Sequence, residues 1–289
     1  IYSFDKDKDG AEVNIFGVML DETYVTECPE KLYKKTKNIE QIILPSTVKV
    51  LGLDTFEYLP EYLTLDIGDC VAMNTEYTFV NYEWSRIKVA KTNSKYKSIS
   101  NMVLTKDGKS LVKAFGQCDK LTVPNGVQTI KENAFLSIKA NKLIVPSSVN
   151  KIQAGRHNFH RNIMRNYIKN VSVSKDNAVY GKLENSIYKK SNKQLVLLCN
   201  EKQTIIIPEG IKIVRDFCCN GYSNYECNPL YIKRIEIPKS VTEYKYTVRC
   251  SKNATVVFKS KKCPKLGYPL FMNISSSKLT VYVPRGCTK

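Results

Sequence analysis

The sequence has few of the residues on which catalysis commonly depends. Its 289 residues include a single tryptophan and two histidines, His157 and His160. It has no G-x-S-x-G motif, no glycine-rich phosphate loop and no cysteine beside a histidine in the chain. A cysteine–histidine nucleophilic pair would have to be assembled by folding alone. We therefore predict no catalytic residues, no cofactor and no enzymatic activity.

Acidic residues are also scarce, and long apolar runs are absent. Aspartate and glutamate number 27 against 45 lysines and arginines, which gives a formal net charge of +18. No run of about 20 apolar residues occurs, so no membrane-spanning segment is predicted. The charge favours anionic partners such as nucleic acid, acidic lipids, or sulfated and sialylated glycans, although lysines that mostly punctuate predicted loops also fit a solubilising surface. Nucleic acid is not expected, because no platform of interleaved aromatic and basic residues is evident.

Two motifs resemble metal sites but lack ligands. Asp5–Gly10 reads D-x-D-x-D-G, the first half of a calcium loop, yet the twelfth position, where a bidentate glutamate should lie, is Phe16. His157 and His160 form H-x-x-H among arginines, without a nearby carboxylate or thiolate. We therefore predict no metal site.

Calcium provides a direct test of this prediction. Millimolar calcium should leave the melting temperature nearly unchanged, because tight binding to the native state alone would raise its stability. A clear calcium-dependent rise would show that the Asp5–Gly10 loop is a site after all.

The ten cysteines are scattered, and none forms a CxxC pair, so a thiolate zinc site is poorly supported. Several end apolar phrases, as Cys199 does after Leu195–Leu198, and a buried thiol behaves as a small hydrophobe. We predict mostly buried thiols, with one disulfide in the Cys218–Cys227 region as an open alternative.

A short phrase built around proline uses six of the eleven prolines. A β-branched residue or leucine precedes proline, then come any residue, a small residue and usually valine or isoleucine; the copies begin at Leu44, Val123, Val145, Ile207, Ile237 and Val283. Proline cannot continue a central ladder, so each copy predicts the end of a strand, and the small residue suits a turn with positive φ. A second apolar step often follows, as in residues 127–130. Repetition of this unit, without sustained helical periodicity, predicts a strand-rich solenoid with little helix.

The chain also contains a longer internal repeat. A shift of 84 residues superimposes Ile87–Pro124 on Val171–Pro208 without a gap. Equivalent positions include Val89 and Val173, Asn93 and Asn177, Tyr96 and Tyr180, and Leu111 and Leu195. Each copy predicts a strand, a loop and a hairpin, with turns at residues 106–109 and 190–193.

These residues resemble the BspA-type leucine-rich repeat family, found on surface proteins of host-associated bacteria and some parasitic protists. The resemblance is carried by residues 130–135, 143–149, 152 and 232–241, by the hairpin segments 96–104 and 180–188, and by the tail at 256–260 and 279–286. It covers the chain from about Ile39 onward. Residues 56–85 lack the proline phrase, and residues 153–169 and 218–230 are irregular insertions. The resemblance implies strands that line a concave face, a cell-surface or secreted location, a role in adhesion or partner binding, and no catalytic residues.

The predicted fold class is a strand-rich leucine-rich-repeat solenoid, α/β by repeat class and mostly β. We predict a β-rich N-terminal cap over residues 1–38 and one continuous solenoid over residues 39–289. The chain begins at Ile1 rather than methionine, so we expect a trimmed signal segment and an extracellular or cell-surface location. The predicted function is a non-enzymatic binding or adhesion module that recognises a host or neighbouring-cell protein or an anionic glycan. The alternative is a structural spacer repeat of a larger envelope protein, which should lack a contiguous aromatic or charged patch.

The proline-terminated strands predict where a ligand would bind. We expect these strands to lie in parallel register along one face, with their outward side chains in one row. The predicted row comprises Gln41, Ile43, Arg86, Lys88, Thr122, Ile144, Thr204, Ile206, Arg234, Glu236, Thr280 and Tyr282. Within it, the candidate ligand-binding residues are Arg86, Lys88, Arg234, Glu236 and Tyr282, because charged and amphipathic aromatic side chains often anchor interfaces.

Overall fold

The computed structural model describes the greater part of the chain from Met19 to Cys287. The described residues are 19–20, 23–24, 27–28, 41–43, 50–51, 64–68, 72–73, 86–132, 134–135, 138–153, 167–199, 204–215, 218–219, 232–245, 248–267, 271–272 and 278–287. The calcium-like motif at Asp5–Gly10, the histidines His157 and His160, and Cys227 lie outside them. Among the described residues the secondary structure is strand, with no helix.

The strands are mostly short. In the first half of the chain they are β1 (Met19–Leu20), β2 (Thr23–Tyr24), β3 (Glu27–Cys28), β4 (Gln41–Ile43), β5 (Val50–Leu51), β6 (Thr64–Asp66), β7 (Ala72–Met73), β8 (Arg86–Lys88), β9 (Tyr96–Ile99), β10 (Met102–Thr105), β11 (Ser110–Ala114), β12 (Gly116–Thr122), β13 (Thr129–Ile130) and β14 (Ile138–Val145). In the second half they are β15 (Lys151–Ile152), β16 (Tyr167–Val173), β17 (Tyr180–Leu183), β18 (Ser186–Lys189), β19 (Gln194–Leu198), β20 (Thr204–Ile206), β21 (Ile213–Val214), β22 (Cys218–Cys219), β23 (Ile232–Ile237), β24 (Glu243–Tyr244), β25 (Val248–Phe258), β26 (Lys265–Leu266), β27 (Phe271–Met272) and β28 (Thr280–Tyr282).

The chain divides into two compact units. The first comprises Ile1–Cys118 and Gly126–Lys139, and the second comprises Asp119–Asn125 and Ala140–Lys289. In the first unit, β1 and β2 pair antiparallel, while β3, β5 and β7 form a parallel ladder. The expected division into a cap over residues 1–38 and one continuous solenoid over residues 39–289 stays a prediction.

Each of the six proline phrases follows a strand, as predicted. The strands β4, β12, β14, β20, β23 and β28 all end one or two residues before the proline. The single row that we expected is nevertheless divided among three sheets: β4–β6–β8, then β12–β14–β16, and finally β20–β23–β25 with β28 paired to β25. In the sequence, the hairpins β9–β11 and β17–β19 lie between the strands of these sheets. Within each hairpin the strands pair antiparallel with each other and add no strand to the three sheets.

Each proline phrase that the structure describes contains a tight turn, and the residue two positions after the proline lies within it. The Ile211 N–H donates to the Pro208 carbonyl at 3.3 Å, and Gly210 has φ of 95°. The last phrase has the same geometry, with Gly286 at φ of 90°. A hydrogen bond spanning a proline and a residue with positive φ is typical of a type II turn, which glycine adopts without a Cβ clash. The predicted positive φ is confirmed in the glycine-bearing copies.

The core of the second unit lies between two parallel ladders. One ladder is formed by β20, β23, β25 and β28, and the other by β19, β21, β24 and β26. Inward side chains of both meet in one apolar cluster, which includes Leu195, Ile205, Val214, Ile235, Tyr244 and Val256. Each fully buried aliphatic side chain contributes about 1.5–3 kcal/mol relative to an exposed one. The strand-rich architecture that we predicted is therefore confirmed for the described residues.

The long internal repeat produces two matching hairpins. Strands β9–β10–β11 and β17–β18–β19 are both antiparallel, and both carry a register shift, between Val103 and Leu104 in one and between Ile187 and Tyr188 in the other. These positions are 84 residues apart, as are Ser100 and Glu184, both of which have positive φ. Equivalent positions of the two copies therefore share even the irregular backbone features of the hairpin.

Three details differ from the sequence predictions. The stretch 153–169 is not wholly irregular, because β16 begins at Tyr167. The stretch 218–230 also contains a strand, since the cysteines at 218 and 219 form β22, which pairs with β19.

Cys199 is a buried thiol, as predicted, but Cys118 and Cys287 are half-buried and Cys263 is exposed in the loop between β25 and β26. The expectation of mostly buried thiols is therefore wrong for these four cysteines. The disulfide considered as an alternative for the Cys218–Cys227 region stays a prediction, because Cys227 lies outside the described residues.

Candidate functional site

In the second unit, parallel pairing holds two outward rows in register. Thr204, Arg234, Thr255 and Thr280 are successive partners, and so are Ile206, Glu236, Val257 and Tyr282. Between these rows lie Ile205, Ile235, Val256 and Val281, which face the core side of the ladder. Alternate residues of a strand point to opposite faces, which explains why the outward residues are accessible while Ile205, Ile235 and Val256 are buried. We call these two lines of side chains the outward rows of the second unit.

Two apolar side chains are prominent on these rows. Ile206 is 50% exposed and Tyr282 is 56% exposed, although both are held in strands. Tyrosine presents both a ring face and a hydroxyl, and such residues are enriched at interfaces. These two side chains lie at opposite ends of one row, with Glu236 and Val257 between them.

A charge cluster occupies the middle of the outward rows. Glu236 accepts from Arg234 Nε at 2.8 Å and pairs with Lys259 Nζ at 2.7 Å. The hydrogen bonds from Lys259 and then Arg234 hold the pKa of the Glu236 carboxyl below its usual range. One carboxylate thus bridges two cations, which fixes their head groups and leaves one net positive charge in the cluster. Of the predicted site residues, Arg234 and Glu236 are therefore brought together, with Tyr282 two strands away.

The first unit has a corresponding arrangement around Arg86 and Lys88. Gln41, Thr64 and Arg86 are partners in one row, and Ile43, Asp66 and Lys88 in the next. Arg86 is exposed and Lys88 is half-buried, while Ile87 between them is buried beside Leu65. The predicted outward orientation of Arg86 and Lys88 is confirmed, and their role in binding stays a prediction.

The remaining predicted row members lie on β12 and β14. Thr122 is exposed and Ile144 is half-buried. They follow the buried Leu121 and Leu143 in their strands, so the alternation that we predicted is present there as well. The Val123 N–H donates to the Ile144 carbonyl at 3.0 Å, which ties the two strand ends together.

Sequence reasoning missed several members of the rows. Thr255, Val257 and Lys259 lie on or directly after β25, which ends without a proline because Lys259 stands in its place. Thr64 and Asp66 were missed for the same reason, since residues 56–85 lack the phrase. The apolar alternation at Leu63, Leu65 and Ile67 was the signal that could have placed them.

Two buried asparagines bind backbone groups of the loops that lead into the two hairpins. Asn177 donates to the carbonyls of Pro146 and Val149 at 2.8 and 2.9 Å, and its Oδ1 accepts from the N–H groups of Val179 and Tyr180 at 3.0 and 2.7 Å. Asn93, at the equivalent position of the first copy, likewise accepts from two N–H groups further along its loop. Both side chains are fully buried. They satisfy backbone groups that water cannot reach, so the loops leading into the two hairpins are structurally determined.

A tyrosine continues this bonding in the second copy. The Ile152 N–H donates to the Tyr180 hydroxyl at 2.7 Å. Burial raises the pKa of Tyr180, and the hydrogen bond from Ile152 opposes that rise. The hydroxyl thus acts as a structural acceptor for a strand-edge amide.

One lysine is buried in the hairpin of the first unit. Lys113 lies in β11 opposite Val103, and its Nζ has no hydrogen-bond partner among the described residues. Burial lowers the pKa of its ammonium from 10.5 to about 7. The residue 84 positions later is Leu197, which pairs with Ile187 in the same register and is buried. Our expectation that lysines lie on the surface is therefore wrong for Lys113, and the comparison of the two copies was the signal that could have revealed it.

No metal or cofactor chemistry is evident in the part of the chain that the structure describes. No group of three or more histidine, cysteine, aspartate or glutamate side chains there is arranged to hold a metal ion. Within the same residues, no helix has the length and apolar character needed to cross a membrane.

Comparison with known protein families yields one match. The family described as the BspA type leucine rich repeat region matches residues 19–110 and 95–196, in six copies, and these ranges cover more than half of the chain. A search of curated proteins found no match.

Solved structures of bacterial leucine-rich-repeat proteins are similar at low identity. A leucine-rich repeat protein from Eubacterium ventriosum is 15% identical over 90% of this chain and 67% of its own, with a TM-score of 0.46. A leucine-rich cell surface protein from Faecalibacterium prausnitzii is 20% identical over 79% of this chain and 54% of its own, with a TM-score of 0.44. The pneumococcal vaccine antigen PcpA is 12% identical over 98% of this chain and 91% of its own, with a TM-score of 0.31.

Proposed function

Because this chain belongs to the BspA-type leucine-rich repeat family, we propose that it is a non-enzymatic binding module that acts at the cell surface or in secreted form. Its ligand is an anionic glycan or an acidic protein surface outside the cell. In the second unit the outward rows supply the contacts through Arg234, Glu236 and Tyr282, and in the first unit Arg86 and Lys88 form a separate contact surface.

The observation that carries this proposal is the register of the outward rows in the second unit. Arg234, Glu236 and Tyr282 are fixed by parallel pairing, so their backbones need little ordering when a ligand binds. Lys259 adds a second cation to the same surface, 2.7 Å from Glu236. The surface therefore combines preorganised positive charge with exposed apolar groups, which suits an anionic ligand with an apolar or ring-shaped component.

The spacer alternative predicts a plainer surface. It should lack a contiguous charged or aromatic patch, whereas Arg234, Glu236 and Lys259 form a contiguous charged cluster on the outward rows of the second unit. This cluster favours binding over spacing.

The role of the cations is tested by removing three of them together. Changing Arg86, Lys88 and Arg234 to serine should weaken binding to immobilised heparin oligosaccharides roughly tenfold, because exposed charge contacts contribute modest energies that add over several sites. Binding of the parent protein should fall as salt is added, since the contacts are exposed. The melting temperature should be unchanged because none of the three side chains belongs to the core.

A matched variant separates the site from the overall charge. Lys95, Lys131 and Lys175 are exposed and lie in loops outside the outward-facing strand positions, so changing these three to serine removes the same charge elsewhere. If both triple variants lose affinity equally, attraction is a property of the whole basic chain and the proposed site is wrong. An array of matrix proteins and glycans, probed with the parent and the first variant, distinguishes acidic protein from glycan.

A further inference from the structure

Successive proline phrases of the second unit place one residue of each turn at the same level of its repeat. This residue stands three positions after the proline, and in two phrases it is the buried Ile211 and Val241. The Val241 N–H donates to the Pro238 carbonyl at 3.3 Å. In the last phrase the residue at this position is Cys287, whose N–H donates to the Pro284 carbonyl at 3.2 Å. Cys287 therefore has the same place in its turn as Val241.

The loop between these two phrases contains a second cysteine at nearly the same level. Glu243 pairs with Lys265, and counting back two residues from this pair sets Val241 against Cys263. The last residues of β23 and β25 are also partners, so the loop after β25 is one residue longer than the turn after β23. Cys263 thus lies within one position of the level that Val241 and Cys287 share.

A direct contact joins the loop of Cys263 to the turn of Cys287. The Cys287 S–H donates to the Lys261 carbonyl at 3.1 Å, and Cys263 follows two residues later. Between them the Lys262 N–H donates to Ser260 Oγ at 3.1 Å, which bends the loop. The strands that precede the two cysteines, β25 and β28, pair directly with each other. Paired strands lie about 4.8 Å apart, within the range of about 4.4–6.8 Å between Cα atoms that a disulfide spans.

We propose that Cys263 and Cys287 form a disulfide that joins the turns after β25 and β28 when the protein is in an oxidising environment. Disulfides form and persist outside cells, so the cross-link requires the location proposed above, but it does not require ligand binding by the outward rows. The oxidant is a low-molecular-weight disulfide such as oxidised glutathione, whose carboxylates suit a basic loop. Four lysines are exposed in this loop, at positions 259, 261, 262 and 265.

The cross-link forms by two thiol–disulfide exchanges. Cys263 is exposed, so its thiolate attacks one sulfur of oxidised glutathione, forms a mixed disulfide and releases one glutathione thiolate. The Cys287 thiolate then attacks the Cys263 sulfur and releases the second glutathione thiolate. Two cysteine thiols are thereby oxidised, and one glutathione disulfide is reduced. The two protons that the cysteines lose are taken up by the two released thiolates.

Peptide mapping of the full chain tests this proposal. The native protein is equilibrated with reduced and oxidised glutathione at about pH 8, where thiolates are populated, then alkylated and digested with trypsin without reduction. Trypsin cleaves after Lys262, Lys265 and Arg285, so we expect residues 263–265 joined to residues 286–289. Recovery of the two cysteines mainly as alkylated thiols, or of either one joined to another cysteine, would overturn the proposal.

The same measurement on the unfolded chain shows whether the fold aligns the pair. We expect the equilibrium constant for this cross-link against glutathione to be at least about tenfold larger in the native protein than in urea, because the folded repeats have already closed the loop between the two cysteines. Equal constants in the two states would mean that the fold does not hold the thiols together, and the proposal would be wrong.

Cysteine variants supply the controls. Cys263→Ser and Cys287→Ser should each abolish the joined peptide, and the exposed Cys263 carries the test should the other variant fail to fold. Cys118→Ser is the matched variant, because Cys118 lies in the first unit and its replacement should leave the joined peptide in place. Loss of the joined peptide in Cys118→Ser would overturn the assignment. Binding of heparin oligosaccharides should be the same with and without the cross-link, so failure of this disulfide is distinguishable from failure of the proposed function.

Discussion

Replacement of Lys113 by leucine should raise the free energy of unfolding at pH 7 by about 3–5 kcal/mol. Burial lowers the pKa of this lysine from 10.5 to about 7, and its Nζ has no partner among the described residues. Each change of one in pKa corresponds to about 1.4 kcal/mol of difference between the protonation states. Leucine is the residue at the equivalent position of the second hairpin, Leu197, so its shape is compatible with this register.

The size of this gain should depend on pH in a defined way. Below pH 7 the Lys113 amine is protonated in both the folded and the unfolded chain, so the parent protein bears the full free-energy cost of burying its charge. Between pH 7 and 10.5 the unfolded chain retains the proton that the folded chain loses, and stability of the parent rises by up to about 1.4 kcal/mol per pH unit relative to the leucine variant. Above pH 10.5 the amine is neutral in both states and the electrostatic difference disappears.

Urea unfolding of both proteins between pH 6 and pH 9.5 would measure this difference, since other titrating groups cancel in the comparison. Hydrogen exchange in β11 gives a local reading of the same effect. Lys131→Leu is the matched control, because Lys131 is exposed in the same unit and its replacement should change stability by less than about 0.5 kcal/mol. Parallel stability–pH curves for the parent and Lys113→Leu would mean that the amine of Lys113 reaches water.

Replacement of Asn177 by alanine should lower the free energy of unfolding by about 3–4 kcal/mol. The side chain makes four hydrogen bonds, two to carbonyl groups and two from N–H groups, and is fully buried. Alanine leaves these backbone groups without partners, and each unsatisfied buried group costs about 1–3 kcal/mol, reduced where water enters the space. The loss should appear as faster hydrogen exchange in β17 and in the loop before it.

Asn141 provides the control for this prediction. It is exposed, and its amide donates to Asp119 at 2.8 Å in the same unit. Asn141→Ala should change stability by less than about 0.5 kcal/mol, since water replaces the lost bond. A loss below about 1 kcal/mol in Asn177→Ala would show that water takes over the role of the asparagine.

Much of the fold could be predicted because the informative residues act locally. A proline removes an N–H wherever it occurs, so Pro208 and Pro238 mark the ends of β20 and β23 without knowledge of the surroundings. Likewise, Gly210 and Gly286 indicate turns in which a side chain would be strained. Alternation of apolar residues then orients each strand, which is why Arg234 and Tyr282 were correctly placed on the outward side.

What could not be predicted depends on neighbours that are distant in sequence. Lys113 resembles any other lysine until the strands around β11 are known to bury both of its faces. The ion pairs of Glu236 with Arg234 and Lys259 need the register of β23 against β25, and β25 carries no proline to mark it. The division of the outward strands into three sheets depends on which strands pair with the hairpins. No single proline phrase determines that pairing.

The parallel ladder of the second unit has a consequence for how the chain is made. Successive partners such as Thr204 and Arg234, or Val256 and Val281, are no more than about thirty residues apart. Each new strand therefore closes only a short loop, whose entropic cost is small, and the contact order of the ladder is low. During synthesis each repeat can add to the one before it as soon as it leaves the ribosome. Every intermediate in that process ends in a strand whose outer backbone groups are unpaired, so the order of synthesis also sets the order in which each edge is covered by the next repeat.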